Sequence, residues 1–187
     1  MTATDARSAP RRRIKRRVLT VFLVFFAAFS VLTAHLFVWP DLPPVPERAD
    51  AIVQLGGTGE RRVVAMDLYR QGRAPVVAIS VPDDEARWGW CDRGSLYGVP
   101  VVCFHSDPFT TRGEARAVAE LAEKYEWHSV ILVTTRDQAW RAELRTKRCY
   151  DGSLAVAIAP LPWYLWPKQI AYQWTATAKA LTFERSC

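Results

Sequence analysis

The chain has 187 residues, half of them hydrophobic and 24% charged, which leaves room for one domain of ordinary size with a real core. Its net charge of +6 is not a nucleic-acid signature, because residues 1–17 hold seven basic groups (Arg7, Arg11, Arg12, Arg13, Lys15, Arg16 and Arg17) against Asp5 alone. Removing that tail from the totals of 25 basic and 19 acidic groups leaves equal numbers of each, so the remainder has no global field to draw in polyanions and no nucleic-acid partner is expected.

After the basic tail, residues 18–39 read VLTVFLVFFAAFSVLTAHLFVW, without Asp, Glu, Lys or Arg. At about 1.5 Å per residue this helix covers a hydrocarbon core of roughly 30 Å, so a transmembrane helix is expected, with the lipid bilayer as its partner. The alternative is a signal peptide, whose apolar region is shorter, about 7 to 15 residues, and ends at a small-x-small cleavage site. Ala34 has Leu32 two places before it and Leu36, Phe37, Val38 and Trp39 after it, which argues against cleavage there. Basic residues precede the helix and none follows directly, so the positive-inside rule predicts a cytoplasmic tail (1–17) and an extracytoplasmic remainder, with the protein single-pass in the cell (plasma) membrane. Residues 40–48, PDLPPVPER, hold four prolines and predict a stiff spacer lifting a domain of residues 49–187 off the bilayer.

Within that domain, short apolar runs alternate with helical periodicity. Strands are expected at 50–55, 76–81, 101–104, 129–134 and 154–158, and helices at 60–71, 114–125, 137–150 and 168–183. Near-continuous apolar strands between amphipathic helices predict an α/β fold, a doubly wound parallel sheet of about five strands covered on both faces. Residues 82–98 are irregular, and their Trp88 and Trp90 are expected to plug a hydrophobic edge. The aromatic segment 160–168, PLPWYLWPK, suits either a membrane surface or packing of the final helix against the sheet edge.

Cys91, Cys103, Cys149 and Cys187 lie where disulfides persist, if the domain is extracytoplasmic. They allow three full pairings; Cys91 with Cys103 is favoured because it closes a short loop, and Cys187 also reads as a buried free thiol. There is no C-x-x-C, and His105 and His128 have no partners at ligand spacing, so neither a metal site nor a particular cofactor is indicated.

Ligands of open parallel sheets bind beyond the carboxyl ends of the strands. After the first strand, LGGTGERR offers Gly56 and Gly57 for a tight turn, free N–H groups at the next helix, and Arg61 and Arg62 for an anion. It lacks the spacing of a dinucleotide or Walker loop, and a structural Gly-Gly turn explains it equally well. After the third strand, Thr110 or Thr111 can cap a helix, with Glu114 at capping-box distance from Thr111, while Arg112 and Glu114 are expected on the same rim as the glycines. After the fourth come Thr134, Thr135 and Arg136; Arg141, Arg145 and Arg148 form a basic stripe, ordinarily a solvated face, whose first turn points into the crevice.

Together these pieces resemble the YdcF-like family of SanA/ElyC-type bacterial envelope proteins, in the variant form of its actinobacterial members. The resemblance spans roughly residues 48–160: D-A-I-V-x-L-G-G ending at Gly57, Arg61 and Ala65 in the next helix, G-V-P before the third strand, T-x-G-E-A at Thr111 to Ala115, and V-T-T at Val133 to Thr135 with Arg141 and Ala142. It implies a Rossmann-like sheet behind one membrane helix, a polar crevice at the strand ends, and a role in envelope integrity, peptidoglycan or lipid-carrier metabolism. Two departures stand out: Gln138 occupies the position where many members carry histidine, and Ser80, Val81 and Pro82 replace a common Ser-Gly. Glutamine cannot serve as a general base, which puts proton-transfer chemistry in doubt.

Two functions fit these residues. One is a binding or hydrolytic crevice for an anionic group, such as the phosphate of a lipid-linked or nucleotide-linked envelope precursor, held by Gly56, Gly57, Arg61, Thr111, Arg112, Glu114, Thr134, Thr135 and Arg141. The other is a non-enzymatic scaffold among other envelope proteins, with the same residues acting only as caps and ion pairs. A methyltransferase using S-adenosylmethionine, a ligand reported for one family member, is disfavoured because an extracytoplasmic domain would not ordinarily meet it.

Overall fold

The computed structural model describes residues 9–82 and 89–187. Helix α1 (Ala9–Thr33) begins inside the basic tail and passes into a π-helical segment, Ala34–Val38. Arg13–Val38, 26 residues, is long and apolar enough to cross a membrane, and no other helix among the described residues is. Its large apolar side chains stand exposed as far as Leu32, as Phe22 and Phe25 do, whereas Leu36 is half-buried and Phe37 fully buried.

Residues 40–48 are extended, as their prolines require, yet they do not lift the domain away. Leu42 and Val45 pack against the core on its two sides, and Arg73 Nη1 donates to the Pro46 carbonyl at 3.0 Å. The expected spacer is therefore a strap laid along the domain, because Leu42 and Val45 are each partly buried against it.

The sheet contains six strands: β1 (Ala51–Gln54), β2 (Val77–Ser80), β3 (Ser95–Leu96), β4 (Val99–Phe104), β5 (Ser129–Thr135) and β6 (Ser153–Ala159), in the spatial order β3-β4-β2-β1-β5-β6. All pairings are parallel except β3 with β4, so the expected five parallel strands gain an antiparallel edge. Ser95 pairs with Pro100 and Leu96 with Val99, leaving Tyr97 and Gly98, both at positive φ, as a two-residue hairpin turn. Tyr-Gly is not a strong turn signal and a two-residue strand has no periodicity, which is why the hairpin escapes a pattern reading.

Helix α2 (Arg61–Arg70) covers one face of the sheet, where Ala65 and Met66 meet Ile52, Val77, Ile79, Ile131 and Val133. Helices α4 (Thr111–Tyr125) and α5 (Arg136–Thr146) cover the other, where Ala117, Val118, Ala139 and Ala142 meet Val53, Leu132 and Val156. Each strand thus sends alternate residues to opposite cores, which is the physical meaning of its unbroken apolar run. The chain reverses direction across the sheet between β1 and β5, so the carboxyl ends of these neighbours diverge and leave a crevice. The short helix α3 (Gly89–Asp92) supplies Trp90, buried in the α2 core with Arg62 lying 5.2 Å over its ring, as a hydrophobic plug; Trp88 lies outside the described residues. Helix α6 (Trp166–Thr182) ends the fold and packs on α5.

All four cysteines are paired, Cys91 with Cys103 and Cys149 with Cys187. The first is the short-loop bridge the spacing favours; the second corrects the reading of Cys187 as a free thiol, since the fold brings the end of the chain back to α5. Both bridges suit an oxidising compartment. Loop-closure entropy grows with the sequence separation of the bridged cysteines, 12 for the first bridge and 38 for the second. Cys149→Ser should accordingly cost about 4 kcal/mol and Cys91→Ser about 3 kcal/mol in denaturant unfolding of the detergent-solubilised chain; equal costs would mean that loop length is not what sets them.

Candidate functional site

The crevice is a cavity of about 230 Å³ at the carboxyl end of β1, bounded by the loop after β1, the start of α4, the start of α5 and the side of α6. A larger hollow, about 710 Å³, lies at the opposite end of the sheet among Glu120, Glu123, Glu126 and Asp151. It is broad and open and gathers no buried polar network, so the smaller cavity is where chemistry can be focused. No group of three or more metal-ligating side chains occurs among the described residues.

At the centre stands Arg61, the first residue of α2 and only 3% exposed. Its Nη1 donates to the Gly56 carbonyl, and its Nη2 donates to Thr135 Oγ1 at 2.9 Å and Gln138 Oε1 at 3.1 Å. The other end of the Gln138 amide donates to Thr111 Oγ1 at 3.1 Å. One guanidinium and one amide therefore join the loop after β1, the end of β5 and the starts of α4 and α5. The two glycines make the close approach feasible. A Cβ on Gly56 would meet the Phe109 ring at 2.7 Å, and Gly57 has φ +118° with the Arg61 guanidinium 3.0–3.2 Å from where its Cβ would be.

Glu114, 4% exposed, accepts from Gly56 N–H through Oε1 at 2.5 Å. This revises the expected capping box. The N-cap of α4 is Thr110, whose hydroxyl accepts from Gly113 N–H at 3.2 Å, and Glu114 instead reaches across to the neighbouring loop. Burial pushes the Glu114 carboxyl above the usual carboxylate range; the bond from Gly56, the Ser80 hydroxyl and the charges of Arg61 and Arg141 oppose that rise.

Arg141, 5% exposed, is held differently from Arg61. Its Nε donates to Gln173 Oε1 at 2.9 Å, and Gln173 Nε2 in turn donates to Asp137 Oδ2 at 2.9 Å. The guanidinium lies 5.8 Å from the Tyr172 ring centre, and its Nη groups make no hydrogen bond among the described residues while lining the cavity. Arg141 is thus oriented by its Nε and stands at the boundary of this cavity and an adjoining one, both of which it lines.

The basic stripe is not a solvated face. Arg145 is 3% exposed and pairs with Glu184, and Arg148 Nη1 donates to the carbonyls of Ala180 and Glu184, both at 2.9 Å. Helix α6 and the residues after it cover the stripe and use it as an anchorage. Arg112 also departs from expectation: its guanidinium turns away from the glycines to Ser186 and the Cys187 carbonyl oxygen, and it lines an adjoining cavity of about 160 Å³ with Arg145, Lys179 and Glu184. Thr134 is fully buried and does not reach the crevice, and Thr135 stands behind Arg61.

Of the sequence-expected residues, Gly56, Gly57, Arg61, Thr111, Glu114 and Arg141 converge on one cavity. Pattern reading missed Thr58, Phe109, Gln138 as a structural link, and Gln169, Tyr172 and Gln173 from α6. Gln169 and Gln173 recur four apart in α6, a spacing that places both amides on one side of the helix.

Arg61→Met should cost about 3 kcal/mol or more in denaturant unfolding, because Gly56, Thr135 and Gln138 lose their donor and Glu114 its nearby cation. Burial raises the folded pKa of Glu114, so between the ordinary carboxylate range and that raised value the folded chain binds more proton there than the unfolded chain does. Its contribution to stability therefore declines as pH rises from the ordinary carboxylate range through the raised folded value, and Glu114→Gln should flatten that part of the stability–pH curve; an unchanged slope would assign it to other groups. No family model, curated protein or solved structure matches this chain, so its site stands on its own geometry.

Proposed function

We propose that this chain is a single-pass protein of the cell membrane, N-terminus in the cytoplasm, whose extracytoplasmic α/β domain binds a phosphate-bearing ligand of cell-envelope or peptidoglycan precursor metabolism. The observation that carries the binding part is Arg141: a buried guanidinium oriented through Nε by Gln173, its Nη groups without a hydrogen bond among the described residues, lining a cavity beside the Gly56-Gly57-Thr58 loop. The cavity, about 230 Å³, falls below the roughly 300–1,000 Å³ that encloses a drug-sized molecule, so it suits one charged group of a larger ligand. The basic residues before the apolar stretch that starts at Val18 support the orientation, and two disulfides support an oxidising compartment. The resemblance to YdcF-like envelope proteins, with its Rossmann-like fold, supplies the metabolic setting.

The site reads as binding rather than proton transfer. Gln138 spends both ends of its amide on Arg61 and Thr111, and Glu114 is the carboxylate the cavity offers. A second reading, a non-enzymatic scaffold, draws on Arg61: both of its Nη groups are bonded within the protein itself, as a structural clasp requires.

Thermal unfolding of the full chain in detergent, with inorganic phosphate, pyrophosphate and nucleoside diphosphate sugars as probes, separates the two. A probe at 100 times its dissociation constant adds about 2.7 kcal/mol of stability. The binding reading expects such a shift in the parent chain and in Arg112→Ala, and its loss in Arg141→Ala. If no probe stabilises the chain, or the shift survives in Arg141→Ala, the scaffold reading replaces it.

A further inference from the structure

Helix α6 meets the apolar helix at a point that constrains where a bilayer surface can lie. Trp174 of α6 stacks on Phe29 with ring centroids 4.8 Å apart, meets Phe37 edge-on at 5.4 Å, and donates from Nε1 to Thr33 Oγ1 at 3.1 Å. Arg136 Nη1 of α5 adds a bond to the Val38 carbonyl at 3.2 Å. The apolar helix from Phe29 onward therefore runs along the domain rather than ending before it.

Phe29 and Thr33 precede Val38 by nine and five residues, roughly 13 and 7 Å along the axis. The stretch from Val18 to Ala28, free of that contact, covers only about 16 Å of a hydrocarbon core of roughly 30 Å. Sliding the span toward the N-terminus to make up the length would sink Arg16 and Arg17 into hydrocarbon, where charged side chains are rarely tolerated. Spanning therefore requires the segment after Phe29 to lie inside the outer leaflet, and Trp174 goes with it.

The side of α6 around Trp174 suits that depth. Ile170, Ala171, Trp174, Thr175, Ala178 and Leu181 recur at helical spacing and form a face with no charge, on which Ala171, Thr175, Ala178 and Leu181 are exposed. Its threonines turn their hydroxyls back on the helix: Thr175 Oγ1 donates to the Tyr172 carbonyl and Thr182 Oγ1 to the Ala178 carbonyl, both at 2.8 Å. Thr20 and Thr33 of α1 do the same with Arg16 and Phe29. A hydroxyl satisfied by its own helix takes no unmet donor into lipid.

We propose that α6 is an interfacial helix, its uncharged face sunk about 5–10 Å into the outer leaflet beside the membrane-spanning helix. This rests on the reading that Arg13–Val38 crosses the bilayer, and it commits the face to lipid rather than to another protein. It also brings Gln169 and Tyr172, the α6 wall of the crevice, next to the headgroup layer.

The test uses the full chain in vesicles of phosphatidylcholine and phosphatidylglycerol, carrying one nitroxide label at Ala178→Cys, Leu181→Cys, Phe22→Cys or Lys124→Cys. Relaxation by oxygen, which concentrates in lipid, is compared with relaxation by a water-soluble nickel chelate. Labels at 178 and 181 should favour oxygen at a shallower depth than the label at 22, and the label at 124 on α4 should favour nickel. Two positions on the face, both exposed in the fold, guard against a variant that misfolds. If 22 lies in lipid while 178 and 181 behave like 124, the interfacial helix is wrong and the membrane span stands. If 22 itself is open to nickel, the span fails and the interfacial helix fails with it.

Discussion

A guanidinium buried to 3% exposure has to be met by acceptors on nearly every side, and the carboxyl end of this sheet is arranged around that requirement. Arg61 draws its acceptors from the loop after β1, from Thr135 at the end of β5 and from Gln138 on α5. These elements belong to different crossovers of the doubly wound sheet, so satisfying one side chain sets their mutual spacing. Glu114, bonded to Gly56 N–H, closes the same ring from α4. Arg141, by contrast, has its Nε anchored on Gln173, while its Nη groups make no hydrogen bond among the described residues. Two arginines lining one cavity thus differ in how their Nη donors are used, Arg61 bonding across three elements and Arg141 leaving its own unbonded among the described residues.

A second set of constraints closes the fold from the C-terminal side. Arg145 and Arg148 on α5 hold Glu184 and the end of α6, and the Cys149–Cys187 bridge covalently repeats the connection. Helix α6 in consequence has three partners: its polar flank completes the crevice, its small buried residues pack on α5, and Trp174 grips the apolar N-terminal helix. A single helix linking the crevice, the second disulfide and the apolar N-terminal helix explains why the proline-rich segment is not a free tether. The domain is already fastened to α1 before residues 40–48 begin, and that segment lies against it.

Much of this was readable in the residues, for definite reasons. Apolar runs such as Ala51–Gln54 and Ser129–Thr135 announce strands buried on both faces, and the Gly56-Gly57 pair marks a turn where backbone and side chain come close. Helical spacing also places Arg141, Arg145 and Arg148 on one face. Periodicity says which residues share a face but not what covers it, so the stripe looked solvated until α6 lay over it. The pattern T-x-x-E at Thr111–Glu114 has the form of a capping box, but the competing acceptor role toward Gly56 is visible only once β1 and α4 are neighbours.

The sequence by itself determined the membrane-length apolar helix, the alternation of strands and helices and the identity of the residues at the strand ends, because these depend on composition and on spacing along the chain. Only the tertiary structure decided the second disulfide, the separate duties of Arg61 and Arg141, the turn of Arg112 away from the crevice and the docking of Trp174 on Phe29 and Thr33. Each of these joins groups far apart in the chain. Which partner a buried cation or an aromatic ring finds is settled by packing, where the cost of leaving it unmatched selects one arrangement among many that the sequence allows.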